Sequence, residues 1–194
     1  MNAKPEITPQ GASRQGAFHY MADFLEGSQA DDLFGWLQRE APWREERIRL
    51  YGREVRVPRL VSWYGDPGLS YRYSGNQHVA TGWPEPVAAL RRRLAGFAGT
   101  SFNFVLLNRY RSGADYMGWH TDDEAEMGSQ IASVSLGATR RFVLENANGG
   151  KDTIELAHGS LLTMSAKVRH SLPRTSRQVG ERINLTFRRI VGSR

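Results

Sequence analysis

There is no cysteine anywhere in this chain of 194 residues. That one absence excludes disulfides, thiolate zinc sites, cysteine-held iron–sulfur clusters and cysteine nucleophiles, so any metal must be held by histidine and carboxylate. Long apolar runs are also missing. Nothing approaches the roughly 18 apolar residues of a membrane-spanning helix. Met1 to Gln15 is polar and lacks the apolar stretch of a secretory signal. A cytoplasmic protein with no membrane partner is the expectation. Lysine is scarce as well: apart from Lys4, Lys151 and Lys167, all 26 basic residues are arginine. Arginine forks onto phosphate, although a compositional bias of the source genome would explain the preference equally well.

What is present suits a globular domain. Hydrophobic residues make up 40% of the chain, and the length allows one sizeable core. The net charge of +6 favours polyanionic partners, or else is a solvated basic surface. Residues 1–17 mix Pro, Gly, Ala and Ser and are expected to be a disordered tail. Residues 18–194 are expected to form a single, monomeric domain. Ala30 to Gln38 reads as a helix opened by Asp31 and Asp32. Pro86 to Phe97 reads as a second, with Val87, Leu90, Leu94 and Phe97 on one face. From Ser101 onward short β segments take over: Phe102–Arg109, Ile131–Leu136, Arg141–Leu144, Thr153–Leu156, Ser160–Met164 and Arg182–Ile190. Turn residues such as Ser112-Gly113, Gly137, Asn148-Gly149-Gly150 and His158-Gly159 separate them. The pattern predicts a mostly β, α+β fold, with helices flanking a jelly-roll core, the double-stranded β-helix.

Trp119-His120-Thr121-Asp122-Asp123 contains a histidine and an aspartate two apart. In extended chain, positions 120 and 122 share a face, so both can reach one ion. Non-haem Fe(II) takes two histidines and one carboxylate on one face of an octahedron and keeps the remaining positions open. The pair alone is also what a surface Asp beside a half-buried His would look like. A third ligand must come from elsewhere. His170 lies just after the apolar segment 160–164, although a lone histidine there is more often structural. His19, His78 and His158 are poorer candidates, near the N-terminus, after a loop and before a turn glycine.

Arg182-Ile183-Asn184-Leu185-Thr186-Phe187-Arg188 alternates strictly. Arg182, Asn184, Thr186 and Arg188 share one face, and Ile183, Leu185 and Phe187 the other. For an isolated strand the polar face would simply meet solvent. Asn108 and Tyr110 also share a face, at the end of another apolar segment. Two arginines with Asn and Tyr make a donor-rich pocket that suits a dicarboxylate, because arginine grips carboxylate with two hydrogen bonds.

Taken together, Asn108-Arg109-Tyr110, His120-x-Asp122, His170 and Arg182-x-Asn184-x-Thr186-x-Arg188 resemble the AlkB family of Fe(II)/2-oxoglutarate-dependent dioxygenases. The resemblance covers roughly residues 50–190. It implies Fe(II) held by His120, Asp122 and His170, with 2-oxoglutarate and O2 as cosubstrates. It places Arg182, aided by Tyr110, on the far carboxylate of 2-oxoglutarate. Arg188 and Asn108 would sit near its chelating end, with Asn184 supporting the pocket. The implied reaction is oxidative demethylation of N-alkylated nucleobases of the 1-methyladenine and 3-methylcytosine type, releasing formaldehyde and succinate. DNA is the expected partner. RNA or protein is the alternative substrate, and a non-catalytic nucleic-acid-binding module the alternative class.

The segment of about residues 48–80 resembles the nucleotide-recognition lid of the duplex-DNA repair members. A methyl on a Watson–Crick edge is out of reach inside a duplex, so the base must flip out at a cost of a few kcal/mol. Stacking on an aromatic returns about 1–3 kcal/mol. The resemblance puts Tyr73, with Tyr71, against the base opposite the ring of His120, and Asp123 beside it as a catalytic-site orienter. Tyr51 stands where duplex-repair members carry an apolar finger, so tyrosine there is a departure. Arg59, Arg111, Arg169, Arg174 and Arg177 are candidates for phosphate contact or for plain surface charge.

Overall fold

The computed structural model describes residues 13–15, 18–50, 52–73, 76–122 and 127–191. Its centre is β14 (Arg182–Arg188), a strand bonded on both sides: to β7 (Phe104–Tyr110), with Asn184 opposite Asn108, and to β9 (Gln130–Gly137), with Asn184 opposite Ser135. All seven residues of β14 are buried. Its alternation therefore does not separate core from solvent. It separates two interiors, one apolar and one polar.

The large sheet extends from this centre. Beyond β9 lie β12 (Leu161–Ser165), β2 (Phe18–Met21) and β1 (Ser13–Gln15). Beyond β7 lie β4 (Arg53–Gly65) and β3 (Arg44–Leu50), giving eight strands. A four-stranded sheet faces it, in the order β11 (Lys151–Leu156), β10 (Arg140–Glu145), β13 (His170–Leu172) and β8 (Met117–His120). A separate hairpin joins β5 (Ser70–Tyr73) to β6 (Asn76–Val79). Two opposed sheets with helices outside match the jelly-roll expectation.

The helices cover the apolar face of the large sheet. Helix α1 (Gly27–Glu40) turns Ala30, Leu33 and Leu37 inward, and α2 (Glu85–Ala98) turns Val87, Leu90 and Leu94 inward. They meet Ile183, Leu185 and Phe187 of β14, with Leu107 and Val134. That spacing of three and four residues is what buries one stripe of a helix. Phe97, expected on the same stripe, is 42% exposed instead, in the last turn of α2, two residues before its cap at Gly99. Helix α1 begins ahead of Asp31 and Asp32, so neither residue opens it. Between the two sheets, Phe142, Leu144, Leu156 and Leu172 of the small sheet pack on Ile131, Leu162 and Met164 of the large one.

Several strands lie outside the segments expected from sequence. Residues 13–15, within the stretch expected to be a disordered tail, form β1 on the edge of the large sheet; residues 1–12 lie outside the described part. Strands β3 and β4 precede α2, although the β region was expected only after Ser101. Their hairpin end is rich in charge and exposed at residues 53–56, so it has no buried face to impose an alternation. Gly137 ends β9 at φ 82°, where a Cβ would collide with the Glu181 carbonyl and the Phe34 ring.

Candidate active site

Strands β8 and β13 pair at one edge of the small sheet, and the pairing sets His120 opposite His170. The register then slips, because Leu172 pairs with Met117. Two steps along β13 thus match three along β8. This bulge lets both Met117 and His120 line the interior cavity while Trp119 is 38% exposed. Asp122 follows β8 and is held by its own amide, which donates to the carbonyl of Ala166 at 3.0 Å.

The three side chains converge. Nε2 of His120 lies 3.9 Å from Oδ1 of Asp122, and Nε2 of His170 lies 3.8 Å from Oδ2. The candidate ligand atoms of all three fall within 4.8 Å of one another. Each imidazole uses Nδ1 to reach the carbonyl two residues earlier, Gly118 at 2.9 Å and Val168 at 2.8 Å. A carbonyl can only accept, so Nδ1 carries the proton and Nε2 keeps its lone pair for a metal. Burial lowers the pKa of both rings, with the His170 charge adding to the effect at His120, which falls to about 4. Both are neutral at neutral pH, as ligands must be. Burial opposes ionisation of Asp122, but Arg188, His170 and His120 outweigh it and hold the carboxyl below its usual range. Two neutral imidazoles and a carboxylate are the donor set of non-haem Fe(II), and these residues fit it.

The polar face of β14 lies beside this group. Arg182 is 2% exposed; its Nη2 donates to Ser135 Oγ at 2.9 Å, and its guanidinium lies over the Tyr110 ring at 5.4 Å. Among the described residues its Nε has no partner and no carboxylate pairs with it. Burial, with Arg140 nearby, pushes its pKa down to about 10 against the opposing influence of Tyr110. A buried cation without a counter-ion calls for an anion, and a dicarboxylate supplies one. Asn108, Tyr110, Arg182 and the three metal-site residues all line one cavity, closed by Phe142, Ile131, Met164 and Leu172. Arg188 was expected near the chelating end of the cosubstrate. It lines the same cavity, and it donates to Asp122 Oδ1 at 2.7 Å and to the Tyr71 hydroxyl at 2.8 Å.

Residues 17–188 match the 2OG-Fe(II) oxygenase superfamily. The chain is 39% identical over 182 residues to human DNA oxidative demethylase ALKBH2, covering 84% of this chain and 70% of that protein. It is 34% identical over 205 residues to bovine alpha-ketoglutarate-dependent dioxygenase alkB homolog 3, covering 95% and 68%. The chain belongs to the AlkB family. It is an Fe(II)/2-oxoglutarate-dependent dioxygenase. The solved structure of OsALKBH1 shares the fold, with a TM-score of 0.66 at 15% identity over 92% of this chain and 99% of that one.

Two residues expected on the substrate side of this AlkB-family chain lie elsewhere. Tyr71, expected to help stack a base, is fully buried against Phe104; its hydroxyl accepts from Arg188 and donates to Met127 Sδ at 3.3 Å. Arg59, expected at the phosphate backbone, is 5% exposed and donates through Nε to Asn108 Oδ1 at 2.6 Å. Both are buried beside residues that are only half-buried or exposed, Pro58 and Leu60 for Arg59 and Ser70 and Arg72 for Tyr71, and aromatic or basic character alone did not reveal that. Tyr51, the side chain of Tyr73, and Asp123 lie outside the described residues. Sequence reasoning passed over Ser133 and Ser135, which hold Asn184 and Arg182. Their alternation with Ala132, Val134 and Leu136 was the available signal.

Proposed function

We propose that this dioxygenase removes N-linked alkyl groups from nucleobases in DNA, with 1-methyladenine and 3-methylcytosine as the typical lesions. The observation that carries the reading is one cavity in which a His–Asp–His cluster faces a buried arginine that pairs with no carboxylate among the described residues. Relatives named DNA oxidative demethylase supply the substrate class.

Arg182 would anchor the far carboxylate of 2-oxoglutarate, with Tyr110 against the flat side of its guanidinium. Asn108 would donate to the end that chelates the metal. His120, Asp122 and His170 would hold Fe(II) from one side and leave the other side to ligands. The bound iron supplies oxidative chemistry, coupling decarboxylation of 2-oxoglutarate by O2 to hydroxylation of the alkyl carbon, after which the base sheds formaldehyde. Phe142, Ile131 and Leu172 line the cavity and would keep water from the reacting centre. No protein nucleophile is needed, in keeping with a chain without cysteine.

On the substrate side, residues 48–80 would serve as the lid over the flipped base. Tyr73 at the end of β5 would stack on it, Tyr51 between β3 and β4 would fill the vacated stack, and Asp123 would orient it. A cleft of about 440 Å³ beside the end of β13 carries Arg141, Arg174 and Arg177, all exposed, and suits a phosphate backbone.

Protein loaded with Fe(II), ascorbate and 2-oxoglutarate should release formaldehyde from methylated duplex DNA. His120→Ala should abolish that release, and undiminished release would sink the iron assignment. Faster turnover on methylated RNA than on methylated single-stranded or duplex DNA would overturn the DNA reading and leave the oxygenase intact.

A further inference from the structure

Two asparagines face each other across the central strand pair, Asn108 on β7 and Asn184 on β14. They are used differently. Asn184 has both ends committed inside the protein: Nδ2 donates to Ser133 Oγ at 2.6 Å and to the Val134 carbonyl at 3.2 Å, and Oδ1 accepts from Thr186 Oγ1 at 2.8 Å. Among the described residues, Asn108 has only its oxygen committed, to Nε of Arg59 at 2.6 Å. An amide whose oxygen is taken has two N–H donors left.

That commitment fixes the amide's orientation. Oxygen and nitrogen of an asparagine are ordinarily interchangeable by a flip. A guanidinium can only donate, so a flipped Asn108 would set donor against donor inside a buried site. Arg59 therefore holds the oxygen on its own side and leaves the NH2 for the cavity that Asn108 lines together with Arg182 and the metal-site residues. Arg59 is itself buried and, among the described residues, pairs with no carboxylate. It thus adds a second uncompensated cation near the cavity, where an anion is favoured.

We infer that Arg59 is a positioning residue for the cosubstrate: it locks the Asn108 amide as a donor to a carboxylate oxygen of 2-oxoglutarate. This rests on the dioxygenase assignment and is independent of which nucleic acid is the substrate. It also reverses the role a surface arginine in this segment would have had, since a phosphate contact needs an exposed guanidinium and Arg59 has none to offer.

The test is the affinity of the Mn(II)-loaded protein for 2-oxoglutarate, measured by calorimetry without any nucleic acid. Arg59→Met should raise the Kd about tenfold, the loss expected for one hydrogen bond to a charged group. Asn108→Ala should do the same. In the double variant Arg59→Met should cost nothing further, because the arginine acts through the asparagine. Mn(II) affinity should be unchanged throughout, and in turnover the KM for 2-oxoglutarate should rise while that for the alkylated oligonucleotide stays put. Arg59→Lys keeps the charge but not the Nε geometry; it should also weaken 2-oxoglutarate, and it gives the readout if the Met variant does not fold. Unchanged 2-oxoglutarate affinity with a raised oligonucleotide KM would overturn the inference in favour of a substrate contact. Additive losses in the double variant would overturn it in favour of two separate roles. Wild-type protein that bound no 2-oxoglutarate would remove the cosubstrate assignment itself.

Discussion

Arg188, the last residue of β14, donates from Nη2 to Oδ1 of Asp122 at 2.7 Å while both side chains are almost wholly buried. The carboxylate of the metal site is thus held from behind by the strand that also carries Arg182. Removing one member of a buried ion pair costs about 3–5 kcal/mol, because the other charge stays buried without it. Arg188→Met should therefore lower the melting temperature of the metal-free protein sharply. Mn(II) should recover much of the loss, since a divalent cation supplies the missing counter-charge. A melt in which Mn(II) stabilises the variant no more than the wild type would show that Asp122 is not left as an uncompensated charge when Arg188 is removed.

How far such relationships could be read beforehand depended on whether a residue's partner was local. His120 and Asp122 stand two apart, and the alternation of 182–188 is visible within seven residues. That period two was legible, but which face met water was not. Burial of the polar face depends on β7 and β9 pairing on either side and on a second sheet above, none of which is encoded in the strand itself. The same limit applies to Arg59 and Tyr71. Each belongs to a segment rich in charge and aromatics, and only the tertiary pairing shows that one bonds Asn108 and the other Arg188. The helix reading failed at its ends for a milder reason: Phe97 fits the apolar stripe by spacing, but it meets the rings of His19 and Phe24 and stays partly open to solvent.

Arg182 leads to a prediction of opposite sign from Arg188. Its guanidinium is buried with no carboxylate beside it among the described residues, which disfavours the charged form in the cosubstrate-free protein. Replacing it by an apolar side chain of similar length removes that cost. Arg182→Met should melt at or above the wild-type temperature without cosubstrate. In the Mn(II)-loaded protein it should lose the thermal shift that 2-oxoglutarate gives the wild type. Retention of that shift would mean that another residue anchors the far carboxylate.

Asp115 gives a pH dependence whose direction follows from its partners. Burial alone would raise its pKa, but hydrogen bonds from the Arg111 side chain and amide, with the charges of Arg111 and Arg140, hold it below the ordinary carboxylate value. A depressed carboxylate contributes stability that is complete above its unfolded pKa, about 3.9, and disappears as the pH falls through the lower folded value. Asp115→Asn should therefore melt below wild type by a constant margin from about pH 5 to 8. The margin should shrink below about pH 4 as the wild-type group takes up its proton. Melting curves of both proteins across that range measure it, and a margin that persisted in acid would assign the loss to packing.

The arginine cleft makes a prediction about salt. Arg174, which lies over the Tyr116 ring at 4.7 Å, and Arg177 belong to the loop that follows β13, the strand that carries His170, and both line that cleft. A cation that neutralises a phosphate releases a condensed counter-ion. On a duplex the slope of log affinity against log salt therefore falls by about 0.9 for each phosphate that is no longer neutralised. Arg177→Ala should flatten that slope by about one and weaken binding alike on alkylated and unmodified oligonucleotides, because a phosphate contact carries no base information. Affinity for 2-oxoglutarate, set inside the cavity by Arg182 and Asn108, should not change. If the slope stayed at its wild-type value, the cleft would face away from the bound strand and the steering charge would have to come from elsewhere on the surface.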